Sequence, residues 1–382
     1  MRTIDFIYRA IVAALMSGTL VLASCDVHEF PEVELPEPTY PVILYLDYNT
    51  DLPLYKILEN QLKSRTAIAV DYDVRYIIET YKVLDEHLSK RELVSREVLT
   101  RDDVNTLNHS KALSLVEGKY ELYVWTDYVD TGTTLNKYYN ADDFTTITVM
   151  NHEGNNDFRD AYAGVAEVEI KKPDQNVPAP QSDLTPTTEV HVANRRPLAK
   201  FNFITTDLDR FIDHVLELEA QAKAEAEKNE GGVSSHSEED ATRNEDSTPS
   251  AEDPTRGVNI KDYKIVIYYN QFMPNEFDIF SYIPIFAIPN MSFVSEIKPI
   301  SETEAELGSD YVFVNGEEFI LPIRLEVYDK QGNRIANTNP LNVPLMRGQL
   351  TTVRDNFLTS YASGGIGINP GFQGPDYIFE VP

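Results

Sequence analysis

"GKYELYVWTDYVD", residues 118–130, alternates along its length. Tyr120, Leu122 and Val124 fall on one side, and Lys119, Glu121 and Tyr123 on the other. A period of two marks a strand half-buried in an antiparallel sheet. The same period recurs on both sides of this stretch. "PVILYLD" (41–47) sets Val42, Leu44 and Leu46 against Ile43, Tyr45 and Asp47, and "VRYIIETYKV" (74–83) and "FTTITVM" (144–150) follow suit. "VAEVEI" (165–170) sets Ala166, Val168 and Ile170 against Glu167 and Glu169. Clusters of Asn, Asp and Gly separate the runs, which predicts a sandwich of short strands.

"KKPDQNVPAPQSDLTPTT" (171–188) breaks the pattern with prolines and is the best domain boundary. Strands resume in "TEVHVA" and "LAKFNFIT", and then the period changes. Leu208, Phe211, Ile212, Val215 and Leu218 recur at helical spacing, with Thr206 or Asp207 available as the cap. A helix is expected over 207–228, followed by a polar, disordered insert over 229–257 that has almost no large apolar residue. Strands return in "YKIVIYY", "YVFVNG", "LPIRLEVYD" and "LTTVR", with Ile323, Leu325 and Val327 facing inward and "DKQGNR" (329–334) turning a hairpin. A Gly-rich loop feeds a last strand around Tyr377 to Val381. The expected organisation is a signal peptide (1–24), a tether (25–39), an N-terminal β-sandwich (40–172), a linker (173–187) and a C-terminal β-sandwich (188–382).

The chain has 382 residues, with 33 Lys and Arg against 62 Asp and Glu, and a formal net charge of -29. That balance argues against nucleic acid and anionic lipid faces, which need clustered cations. Its one cysteine excludes an internal disulfide framework and Cys-x-x-Cys zinc sites. That cysteine, Cys25, follows a run of apolar residues too short to span a bilayer, behind Arg2 and Arg9. Leu22-Ala23-Ser24-Cys25 resembles the bacterial lipobox, which implies cleavage before Cys25 and acylation of its sulfur. Acyl chains would then hold the protein to a membrane.

Candidate chemistry is sparse. Asp130-Thr131-Gly132-Thr133 matches one aspartic-protease loop, but that reaction needs a second carboxylate and the loop does not recur. His152-Glu153, with Asp157 and Asp160, could hold a metal, but a polar turn is the better reading. His214 reads as an exposed helix residue. No catalytic, metal or cofactor site is expected.

"GKYELYVWTDYVD", "YYNADDFTTI", "NNDFRDAYAG", "RPLAKFNFITTDL" and the closing "GGIGINPGF", behind a lipobox and an acidic tether, resemble the fimbrillin-type lipoproteins of the Bacteroidales, especially anchor and accessory fimbrial subunits. The resemblance implies two transthyretin-like β-sandwich domains, display at the outer membrane, no enzyme activity, and a structural or adhesive role. Partners would be other fimbrial subunits or host surface ligands, joined by β-strand addition. In polymerising members a protease cuts after an arginine in the first domain, and Arg65 in "LKSRTAIAV" is positioned for this. Asp246-Ser247-Thr248 resembles the short O-glycosylation acceptor of Bacteroidota, with Ser247 as the acceptor. The rival readings are a surface glycan- or nutrient-binding lipoprotein, using Trp125 and exposed tyrosines to stack on sugars, and a secreted hydrolase.

Overall fold

A computed structural model describes residues 37–58, 71–86, 89–172, 187–230 and 253–360. In chain order the strands are β1 (Tyr40–Tyr48), β2 (Leu54–Leu58), β3 (Tyr72–Asp85), β4 (Lys90–Arg101), β5 (His109–Leu115), β6 (Gly118–Asp130), β7 (Tyr139–Asn140), β8 (Thr146–Val149), β9 (Tyr162–Ile170), β10 (Thr188–Asn194) and β11 (Leu198–Thr205). Helix α1 (Leu208–Glu230) follows. The second half adds β12 (Lys264–Tyr269), β13 (Met273–Asp278), β14 (Ile283–Ile288), β15 (Ser292–Ser295), β16 (Lys298–Pro299), β17 (Ala305–Phe313), β18 (Phe319–Tyr328), β19 (Arg334–Asn337), β20 (Leu341–Leu345) and β21 (Leu350–Asp355).

The strands form five sheets. Sheet I runs β10-β1-β5, sheet II β4-β3-β6-β9, and sheet III β14-β13-β8-β7. Sheet IV runs β16-β17-β11-β21-β2, and sheet V β15-β12-β18-β19, with β20 also on β18. Most pairs are antiparallel, as the alternating sequence requires. Three are parallel: β1 with β10, β11 with β21, and β2 with β21. Parallel neighbours need long connections, and these pairs join segments far apart in the chain. Strands therefore pass between the two halves. β10, which follows the linker, lies beside β1, while β2 lies beside β21 and β8 beside β13. From Tyr40 onward the contacts form one unit.

Three apolar cores fill the spaces between sheets. Val42, Leu44 and Leu46 of β1 meet Val74, Tyr76, Ile78, Tyr120, Leu122 and Val124 between sheets I and II. Ile77, Tyr123 and Trp125, from the other face of sheet II, meet Tyr139, Ile147, Phe277, Tyr311 and Phe313. Sheets IV and V enclose the third core, around Phe201, Phe203, Ile267, Leu325 and Val353. The strands β3 and β6 were expected to be half-buried. Their central residues are instead buried on both faces, because sheet I covers one side and the aromatic core the other.

Helix α1 closes the third core with Leu208, Phe211, Ile212 and Val215. The expected stripe is one turn too long, since Leu218 is 49% exposed. The expected cap is also altered. Asp207 offers its backbone carbonyl to Phe211 N–H (3.0 Å), while its carboxylate accepts from Thr359 N–H (2.9 Å) and the Thr359 hydroxyl (2.6 Å). It thus ties the helix start to the segment after β21. The helix runs to Glu230, two residues into the expected insert. The far end of that insert is also ordered: Arg256 bonds the Asp213 carboxylate and the Asp209 carbonyl, both at 2.8 Å. Residues 231–252, and the expected strand at 377–381, lie outside the described residues. The hairpin at 329–334 forms as expected, with Gly332 at φ +82° and Asp329 N–H bonded to the Asn333 carbonyl at 3.0 Å. Among the described residues, no helix is long and apolar enough to cross a membrane.

The end of the stripe is testable. Val215→Ala should cost about 1–3 kcal/mol through two lost methyl groups in a closed core. Leu218→Ala should stay within about 0.5 kcal/mol. Equal losses in urea unfolding would show that the helix packs further along than Val215.

Candidate functional site

The sandwich of sheets I and II has two seams, and they differ. At one seam β9 meets β10. Ala163 and Arg195 exchange both backbone bonds, at 2.9 and 2.8 Å. A Cβ on Gly164 would fall 2.7 Å from Asn194 Oδ1 and 2.8 Å from Val192 Cγ1, so glycine permits this approach. At the other seam β4 faces β5, and side chains span the gap. Lys111 pairs with Glu97 at 2.6 Å, and Arg101 donates to the Asn108 carbonyl at 3.2 Å. Among the described residues no strand pairs with the outer edge of β4 or of β5.

An unpaired edge offers a row of free backbone donors and acceptors to another chain. Proteins usually blunt such edges with short length, proline or bulges. The β14 edge is blunted in this way, with six residues, Pro284 and two register shifts against β13. β4 is longer, with twelve residues, no proline and no buried side chain, although its ladder with β3 also shifts register twice, once at Val94. Leu93, Val94 and Val98 are exposed along it. It also carries Lys90, Arg91, Arg96 and Arg101 against Glu92 and Glu97. This edge is therefore locally basic in a chain whose net charge is -29.

Arginines hold β4 in place from its inner side. Arg96 donates to Glu79 on β3 and to the Ala141 carbonyl, both at 2.6 Å. The Arg91 guanidinium lies 4.5 Å from the Phe280 ring centroid. Glu79 is buried and also accepts from the Tyr81 hydroxyl. Burial pushes the Tyr81 phenol up, and Glu79 beside it pushes it further. Arg75 makes a two-pronged pair with Asp127 at 2.8 and 2.6 Å and reaches Asn136 at 2.8 Å.

The polar turn at His152 has a structural role that the sequence did not show. His152 Nε2 lies 2.7 Å from Asp310 on β17. Arg159 and the Tyr269 hydroxyl bond the same carboxylate. Asp160 is held by Arg196 at 2.6 and 2.7 Å, and Asp157 pairs with Lys200. The four residues considered for a metal are thus dispersed, and no group of three or more metal-type ligands occurs among the described residues. Asp130 pairs with Lys137. His214 is exposed on α1. Trp125 is fully buried, so it cannot stack on a sugar. Leu22, Ala23, Ser24, Cys25, Arg65 and Ser247 lie outside the described residues.

The profile of a family of unknown function, DUF6562, matches residues 42–381. No curated protein sequence matches the chain. Several solved structures are similar at low identity. A candidate adhesin from Bacteroides ovatus aligns with a TM-score of 0.40 at 11% identity, covering 85% of this chain and 90% of that one. The fimbrial anchor protein of Porphyromonas gingivalis gives 0.35 at 10%, covering 78% and 82%. A fimbrial assembly protein from Parabacteroides distasonis gives 0.36 at 11%, covering 83% and 91%.

The Asp310 cluster predicts an acid-dependent loss of stability. Burial alone would raise this carboxyl, but Arg159 and His152, with the hydrogen bonds, hold it below its ordinary value of 3.8. The stabilisation is complete above that value and is lost as pH falls below it toward the lower folded-state value. Asp310→Asn should cost about 3–5 kcal/mol at pH 7, since it leaves the Arg159 charge buried without its counter-ion. Urea unfolding should show the gap between wild type and variant narrowing in acid below 3.8. A gap that did not change with pH would mean that the charge of Asp310 is not what stabilises the fold.

Proposed function

From a chain that belongs to the DUF6562 family, with a long open edge on its first sandwich, we propose an outer-membrane, surface-exposed lipoprotein that serves as a structural, anchor or accessory subunit of fimbriae. Cys25 carries the acyl chains, and residues 26–39 tether the folded part to the membrane. The role is mechanical and needs no chemical step. The observation that carries this reading is β4. The outward-facing backbone groups of this twelve-residue edge, on either side of the bulge at Val94, can accept an extended segment of another subunit by β-strand addition.

Strand β1 fits the role of a retained strand. It lies between β5 and β10, paired along both edges, with Val42, Leu44 and Leu46 buried. A cut after Arg65 would release both β1 and β2, because Arg65 lies between β2 and β3. An anchor-type subunit does not need that cut. N-terminal sequencing of the surface form separates the two cases: a blocked Cys25 end for the retained strand, a start at Thr66 for the cleaved form. O-glycosylation at Ser247 would add a sugar mass to a peptide spanning residues 246–248.

Two outcomes are expected. Material sheared from intact cells and run unheated should show high-mass bands that collapse on boiling. Val94→Lys with Val98→Lys, on exposed positions of the edge, should leave folding within about 0.5 kcal/mol but reduce those bands to a single species. A single low-mass band from the wild type would refute strand addition. Cys25→Ala should abolish lipid labelling and release the protein from the outer-membrane fraction, since stable retention rests on the acyl chains at roughly 0.8 kcal/mol per buried methylene.

A further inference from the structure

The connection from β12 to β13 and the connection from β14 to β15 meet at a surface cleft of about 490 Å3. That size falls within the range of about 300–1,000 Å3 typical of small-ligand sites. Its walls include Tyr268, Asn270, Gln271, Phe272, Asn290 and Arg324. The cleft is separate from the β4 edge and uses none of its residues.

The lining has a specific chemical character. The Phe272 ring forms part of the cleft wall and is 60% exposed, which leaves its face open to a ligand. Tyr268 is half-buried and lies 4.6 Å under the Arg324 guanidinium. Among the described residues, the side-chain amides of Asn270, Gln271 and Asn290 make no hydrogen bond. Arg324 touches Glu326 at 3.2 Å through one terminal nitrogen, while its Nε is buried with no partner. No acid lines the cleft, although the chain carries 62 of them.

The backbone here is already committed. Tyr269 N–H bonds the Met291 carbonyl and Asn270 N–H bonds the Pro322 carbonyl, both at 2.9 Å. An extended peptide would therefore find no ladder at these positions. The groups on offer are aromatic faces, neutral amides and one guanidinium. A pyranose matches that set. Its C–H face packs on an aromatic ring, and its vicinal hydroxyls both donate to and accept from planar amides.

We propose that this cleft binds a carbohydrate, with a pyranose ring stacked on Phe272 beside Tyr268 and its hydroxyls bonded to Asn270, Gln271, Asn290 and Arg324. The assignment does not depend on fimbrial assembly, because a monomer would bind equally well.

The test uses the full chain, purified in detergent, on an array of immobilised oligosaccharides. The best retained oligosaccharide is then titrated in solution. Wild type should retain a defined set of glycans. Phe272→Ala should weaken binding about two- to tenfold, the loss expected for one aromatic stack, and Gln271→Ala should weaken it less. Phe286→Ala removes another exposed phenyl that does not line the cleft, so it should leave binding unchanged. Circular dichroism checks that each variant is folded. No retention by folded wild type, undiminished binding by Phe272→Ala, or an equal loss in Phe286→Ala would each overturn the assignment. None of these outcomes bears on the high-mass bands, so the two readings fail separately.

Discussion

The centre of sheet II is buried on both faces, and β3 and β6 nevertheless carry charged side chains through it. An isolated charge in such a place costs several kcal/mol, which pairing must offset. Each charge is met. Arg75 on β3 faces Asp127 on β6, and Glu79 on β3 takes Arg96 from β4. These pairs fix the register that the apolar faces alone would allow to slip by two. They also hold β4 to the sheet although it has no second neighbour among the described residues. Its inner side is held by ion pairs, and its outer edge has no strand partner among the described residues, only the side-chain bridges toward β5.

A similar demand operates deeper in the chain. β11 and β17 separate the aromatic core from the core of sheets IV and V, so Asp310 on β17 is buried from both directions. The His152 turn supplies the partners. A loop of the first half thereby becomes a structural part of the second, in keeping with the strands that β2, β8 and β10 contribute across the two halves. Cutting the chain at a proline-rich stretch would separate strands from their neighbours.

Much of the strand content was legible because burial of one face imposes a period of two. Val42, Leu44, Leu46, Ile323, Leu325 and Val327 all point where their spacing says. The double burial of β3 and β6 was not legible, since polar residues such as Arg75, Glu79 and Asp127 read as solvent-facing until their partners are placed. Those partners lie far away in sequence. Parallel neighbours such as β1 and β10 leave no local trace either. The end of the α1 stripe was overestimated because Leu218 keeps the helical spacing after the core has ended. Of the candidate site, the β4 strand was not singled out. Its lack of clean alternation, with Leu93 and Val94 adjacent and both exposed, was the available signal of an edge.

On the proposed readings, the open edge and the cleft would recognise partners by different means. β4 offers backbone groups, which pair with any extended segment and leave selectivity to the charges beside them. The cleft offers side chains on turns whose backbone bonds are already made, so it selects by shape and hydroxyl pattern. These two modes draw on separate atoms. A subunit could therefore hold a neighbour along β4 while keeping its turns free for a surface ligand. The arginines that pin β4 to Glu79, Ala141 and Phe280 fix the edge in place, so strand addition there would lose less ordering entropy.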